Sequence, residues 1–155
     1  MRLLCAYDGS DDAERAITVA GRLVTGVAIV LYVWPPVVVP PLAGALPPDA
    51  VLTPDQLEEL DQRQRARARD IVEQGVACAR RAGFTAEPEL QPGAGVGEIW
   101  RAIVAAADEH AASLIVIGRR GVSPIRTLLL GSIASAVVHH AKVPVLVVPE
   151  DASNP

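Results

Sequence analysis

IVIGRRGVSPIRTLLLGSIASA, residues Ile115–Ala136, is the stretch whose reading decides the fold. Ser113–Ile117 is a short apolar run that ends at Gly118, the pattern of a parallel strand buried on both faces. Ser132 is expected as the N-cap of the Ala/Val-rich helix that follows. Between strand and helix the small residues fall at Gly118, then Gly121 after two residues, then Gly131-Ser132 after nine more. Glycine lets backbone N–H groups approach a ligand closely, and a helix N-terminus offers unpaired donors at the positive end of its dipole. A phosphate placed at Ser132 is therefore stabilised without a metal.

Composition supports a layered fold around that strand. A chain of 155 residues is expected to form one domain, residues 1–150, with a polar, frayed tail at 151–155. At this size roughly 70% of the unfolded surface is buried, ample for a core without disulfides. The chain is 50% hydrophobic but only 3% aromatic, so the core must be built from Val, Leu, Ile and Ala, as in a parallel sheet flanked by helices. A net charge of −4 argues against a nucleic-acid surface, which needs a dense basic patch. The arginines between Arg63 and Arg69 stand among Gln64 and the flanking Glu58, Glu59, Asp61 and Asp70 and read as a solvated, internally paired helix face. Cys5 and Cys78 have no metal-ligand spacing and read as buried thiols in a reducing cytosol. The uncharged stretch between Arg22 and Asp49 cannot span a membrane, because Pro35, Pro36, Pro40, Pro41, Pro47 and Pro48 would leave backbone groups bare in lipid. No secretory signal precedes it, so a cytoplasmic protein is expected.

Along the chain, Arg2–Tyr7 reads as the first strand, and Asp8-Gly9-Ser10 as the turn into a helix capped by Ser10 or Asp11. That helix turns Ala13, Ala16, Ile17, Ala20, Leu23 and Val24 to one face. Val27–Val33 is the second strand, and Pro35–Pro48 is a long loop serving as a lid or a partner patch. Thr53, Pro54 and Gln56 start a long helix that stops at Gly83, with Leu57, Leu60, Ile71, Val72, Val76 and Ala79 inward. Phe84–Leu90, broken by Pro88, is assigned to a sheet edge. Gly93, Gly95 and Gly97 precede a helix from Glu98, a weak motif on its own. His139, His140 and Lys142 place cations at the last helix's C-terminus and do not form a metal site, and Val143–Val148 is the last strand. Five strands alternating with four helices make an α/β fold: an open, doubly wound five-stranded parallel sheet, a Rossmann-like or flavodoxin-like three-layer sandwich of order 3-2-1-4-5. That order sets the first and fourth strands side by side and brings Asp8 beside the Gly118 loop. From spacing alone Asp8 is equally a turn residue or a site residue, and Val33 reads as core as readily as a ligand contact.

The glycine spacing, with LIVIG before it, KVPVLVVP after it and LLCAYDGSDDAERAI at the amino terminus, resembles the ATP-binding class of the universal stress protein family. The resemblance runs from about Arg2 to Pro149 and implies a small α/β protein, commonly a homodimer, that binds ATP. It implies a nucleotide site of Tyr7, Asp8, Gly9, Ser10, Val33, Gly118, Arg119, Gly121, Arg126, Gly131, Ser132 and Ile133. In it Asp8 meets the nucleoside, Val33 the adenine, and Arg119 and Arg126 face the nucleotide. Ser113 stands where the family usually has an acidic residue, a change at the strand's start. The implied role is an ATP-binding regulatory or stress-response module, with Mg2+ as an optional companion, no catalytic residue assigned and at most weak ATPase activity. The alternatives are an adenylylating or pyrophosphate-releasing enzyme of related topology, and a flavodoxin-like electron carrier, which the shortage of aromatics disfavours. A homodimer is expected through the last strand, at Val143, Val145 and Val147, because an unpaired apolar edge invites a partner strand. The regulated pathway and the regulatory partner are not readable from these residues.

Overall fold

The computed structural model describes residues 1–34, 53–93, 98–120 and 130–149. Within them the chain runs β1 (Arg2–Ala6), α1 (Asp11–Leu23), β2 (Val27–Trp34), α2 (Pro54–Arg81), β3 (Thr85–Pro92), α3 (Ile99–Glu109), β4 (Leu114–Gly118), α4 (Ser132–His140) and β5 (Val145–Val148). The strands form one sheet of order β3-β2-β1-β4-β5, the order expected from the alternation of elements. Every pairing is parallel: Leu4 stands opposite Ile29 on one side and Ile115 on the other. Pro88 is accommodated because β3 lies at the sheet edge and pairs only with β2. The proline-rich loop Pro35–Pro48 lies outside the described residues.

Alternation along the strands feeds two cores. Leu3, Cys5 and Val30 pack with Ile17 of α1 and with Val72 and Val76 of α2 on one face. Leu4, Ile29, Leu31 and Ile115 pack with Ile103 of α3 and Val137 of α4 on the other. Each fully buried side chain of this size contributes about 1.5–3 kcal/mol, and the central strands, covered on both sides, are therefore continuous apolar runs. Cys5 and Cys78 are buried free thiols in the first core. Burial pushes the Cys5 thiol from 9.0 up to about 12.

Helix starts follow local chemistry. Ser10 caps α1 with extended backbone, its hydroxyl accepting from the Ala13 amide. Thr53 and Gln56 form a reciprocal capping box at α2, with Pro54 at its first position. Arg63 pairs with Glu59 and Arg65 with Asp61 on the exposed face of α2. His140 ends α4 stacked on Trp100 of α3, with ring centroids 4.2 Å apart, and Lys142 pairs with Asp108 at 2.6 Å.

Several boundaries differ from the sequence reading. Gly131, not Ser132, is the N-cap of α4, and Ser132 is its first residue. The Gly131 carbonyl already accepts the Ser135 amide at 2.8 Å, which sets the helix start one residue earlier. Val143 precedes β5 instead of opening it, so only Val145 and Val147 of the three named edge residues lie in the strand. Tyr7 lies past the end of β1, and Leu23, the last residue of α1, is 63% exposed. Leu57 and Leu60 are only half-buried, and the continuous burial of α2 begins at Ala68.

Candidate functional site

In an all-parallel sheet the carboxyl ends of the strands share one edge. Here β1 hands over to α1 on one face while β4 hands over to α4 on the other, so a crevice opens between β1 and β4. Tyr7, Asp8, Gly9 and Ser10 follow β1 on that edge, Gly118 and Arg119 end β4, and Gly131, Ser132 and Ile133 begin α4. The start of α4 is tied to the end of β4: the Gly131 amide donates to the Arg119 carbonyl at 3.0 Å, and the Arg119 amide donates to Val148 at 2.9 Å. The topology thus brings together segments more than a hundred residues apart. Gly121 and Arg126 lie outside the described residues.

The turn after β1 is built around one carboxylate oxygen. Asp8 Oδ1 accepts from the Ser10 amide at 3.0 Å and from the Ser10 hydroxyl at 2.5 Å. Gly9, with φ +81°, supplies the left-handed residue that closes the turn. Tyr32 of β2 lies within electrostatic range of both Asp8 and Arg67 of α2. Burial raises the Tyr32 phenol above its ordinary pKa, the Arg67 charge opposes that rise, and Asp8 adds to it.

Two residues named from the sequence point into the body of the protein. Tyr7 is buried against α1 and α2, and its hydroxyl donates to Glu14 Oε1 at 3.2 Å. Burial first, and then the Glu14 carboxylate, push its phenol well above the usual range. Val33 is 8% exposed and packs with the core on the α3 and α4 side, presenting little surface to the crevice.

The glycines at the end of β4 and before α4 serve close packing of the chain on itself. A Cβ on Gly118 would stand 2.9 Å from the Asp12 carbonyl carbon and 3.1 Å from Asp12 Cβ, so the first turn of α1 lies directly on the end of β4. A Cβ on Gly131 would stand 3.0 Å from the Arg119 carbonyl oxygen. Asp12 itself is 9% exposed, and its Oδ2 accepts the Arg120 amide at 3.3 Å, joining α1 to the segment that leaves β4. Sequence reasoning missed Asp12, Tyr32 and Arg67. A first-turn Asp is common in any helix, and Arg67 belongs to a run that reads as solvated.

The two helix starts on this edge differ electrostatically. The first turn of α1 is closed by Ser10 and carries Asp11, Asp12 and Glu14. The first turn of α4 has no side-chain cap and no acidic residue. The macrodipole of α1 is therefore already answered by carboxylates, whereas α4 presents its positive end and backbone donors beside the Arg119–Arg120 segment. An anion is favoured at α4 and opposed at α1. Among the described residues no group of three or more His, Cys, Asp or Glu side chains gathers to hold a metal, and no helix is long and apolar enough to cross a membrane.

Comparison with known proteins agrees with this architecture. A sequence profile of the universal stress protein family matches residues 1–149. The chain is 34% identical over 149 residues to the "Universal stress protein in QAH/OAS sulfhydrylase 3'region" of Thermus aquaticus, covering 94% of this chain and 96% of that one. The universal stress protein from Archaeoglobus fulgidus, solved in complex with dAMP, superposes with a TM-score of 0.62 at 25% identity, covering 95% and 96% of the two chains. A universal stress protein solved in complex with cAMP superposes with a TM-score of 0.61 at 25% identity, covering 96% of each. With its fold, strand order and nearly its whole length matched, the chain belongs to the universal stress protein family.

Proposed function

We propose that this chain binds an adenine nucleotide, ATP by preference, in the crevice between β1 and β4, and acts as a cytoplasmic regulatory module with slow or no hydrolysis. The observation that carries the reading is the contrast between the two helix starts on that edge: α1 is capped and acidic, while α4 is uncapped and free of acidic residues in its first turn. Phosphate oxygens are accordingly received by the amides of Ser132 and Ile133, with positive charge from Arg119 and its neighbours. Asp8, held at the opposite side of the crevice, takes the donors of the nucleoside. The relatives solved with dAMP and with cAMP support an adenine nucleotide as the ligand class. Mg2+, where it accompanies ATP, would be carried mainly on the phosphates themselves.

The same reading takes residues 1–150 as one nucleotide-binding domain that pairs with a second copy through β5, an edge strand of the sheet. Calorimetric titration of the purified protein with ATP and with GTP tests the ligand assignment, after bound nucleotide has been released by heat and identified. Tighter binding of ATP is expected. Equal affinity for the two, or no affinity for either, would refute it.

A further inference from the structure

The Ser10 hydroxyl has a single proton to give, and the geometry says where it goes. At 2.5 Å from Asp8 Oδ1 the proton is committed to the carboxylate, while the same oxygen accepts the Ala13 amide at 3.2 Å. A phosphate offers only acceptors, so an oxygen whose proton is already given away has nothing to donate to it. Asp8 Oδ1 in turn receives two donors, the Ser10 amide and the Ser10 hydroxyl, and two bonds to one oxygen fix both the rotamer and the direction of the carboxylate.

We propose that Ser10 is a positioning residue: it makes no contact with the nucleotide and acts by holding Asp8 as an oriented acceptor for the nucleoside's hydroxyl or amino hydrogens. The proposal rests on the nucleotide reading above, and it assigns Ser10 a different role from the direct contact that the family resemblance implies. One side chain then performs two separable tasks, closing the N-terminus of α1 and aiming Asp8. Substitutions divide them. Ser10→Thr keeps both the acceptor and the donor. Ser10→Asp keeps an oxygen for the Ala13 amide but has no proton for Asp8. Ser10→Ala loses both.

The test has two arms on the full chain. In the first, side-chain scalar couplings of Asp8 are measured by NMR without nucleotide. The parent and Ser10→Thr are expected to hold Asp8 in one χ1 rotamer, and Ser10→Ala to show averaging. An unchanged single rotamer in the alanine variant would overturn the proposal whether or not nucleotide binds. In the second arm, a double-mutant cycle of Ser10→Ala with Asp8→Ala is titrated with ATP while melting temperatures report the cap. Ser10→Ala should weaken ATP by about tenfold in the parent, the scale of one charge-assisted hydrogen bond, and by less than about twofold in the Asp8→Ala background. Ser10→Asp should bind ATP no better than Ser10→Ala, because its carboxylate has no proton to give Asp8 and repels it. Equal losses in the two backgrounds would mean that Ser10 touches the nucleotide itself, and would overturn the positioning role while leaving the nucleotide reading intact. A parent that binds no adenine nucleotide would overturn the nucleotide reading, a result distinct from additivity in the cycle.

Discussion

Gly75 lies in the middle of α2, where glycine costs a helix about 1 kcal/mol relative to alanine, so on an exposed face Gly75→Ala would be stabilising. The structure reverses the sign. A Cβ at this position would stand 2.6 Å from Tyr7 Cδ1, 2.8 Å from Tyr7 Cγ and 2.8 Å from Val30 Cγ1. Neither neighbour can yield cheaply: Tyr7 is 3% exposed with its hydroxyl bonded to Glu14, and Val30 is fully buried in β2. Overpacking of a tight core costs about 1–3 kcal/mol, and contact with two rigid side chains places this site at the upper end. Setting the roughly 1 kcal/mol of helix propensity against it leaves a net loss of about 1–2 kcal/mol. For a chain of this size that is a melting point lowered by about 2–8 °C. Urea unfolding followed by circular dichroism reads the loss as a lower midpoint at unchanged slope. Val30→Ala should relieve the Val30 share of the clash while the Tyr7 contacts remain, so the double variant should be more stable than the sum of the two single losses by about 0.5 kcal/mol. A Gly75→Ala protein as stable as the parent, or more stable, would refute the packing argument. Because Tyr7 immediately precedes Asp8, a displaced ring should also weaken ATP binding in the folded variant.

Two further outcomes are expected. Cys5 is raised from 9.0 to about 12 by burial, and Cys78 and Tyr7 are raised as well, so above pH 9 the unfolded chain releases protons that the folded chain keeps. The stability contributed by Cys5 is therefore full below pH 9 and falls above it by up to about 1.4 kcal/mol per pH unit, with Cys78 and Tyr7 acting in the same direction. Cys5→Ala should make that fall shallower between pH 9 and about 12 in urea midpoints, and identical slopes for variant and parent would exclude Cys5 as a contributor. Val145→Lys puts a charge on the edge strand β5 and should shift light-scattering mass from dimer toward monomer, whereas an unchanged dimer would remove β5 from the interface.

Much of the fold is legible in the residues because local and global preferences agree. Buried parallel strands read as unbroken apolar runs, as in Val27–Val33 and Leu114–Ile117, and Thr53, Pro54 and Gln56 announce α2 by chemistry that acts within three residues. Pro88 points to an edge because it has no N–H to give a second neighbour. The meeting of Asp8 with the end of β4 follows from strand order alone. Contacts between side chains distant in sequence are not encoded in this way. Nothing beside Asp12 marks its bond to the Arg120 amide, 108 residues away, and nothing in the run Arg63–Arg69 singles out Arg67 as the arginine that faces Tyr32.

The glycine spacing shows where a one-dimensional reading divides. A glycine needed for a ligand and a glycine needed for a neighbouring helix leave the same letter, and at Gly118 and Gly131 the neighbour is the chain itself. The choice between Gly131 and Ser132 as cap is undetermined for the same reason, since both are residues that caps accept and only the bonds to Arg119 and Ser135 decide between them. That decision changes the chemistry inferred. With Ser132 as first residue instead of cap, its hydroxyl is not the cap acceptor, and among the described residues no side-chain cap bond closes the first turn of α4. A phosphate at this edge is therefore favoured by the uncapped, acid-free first turn of α4 and not by Gly118 and Gly131, whose presence close packing explains.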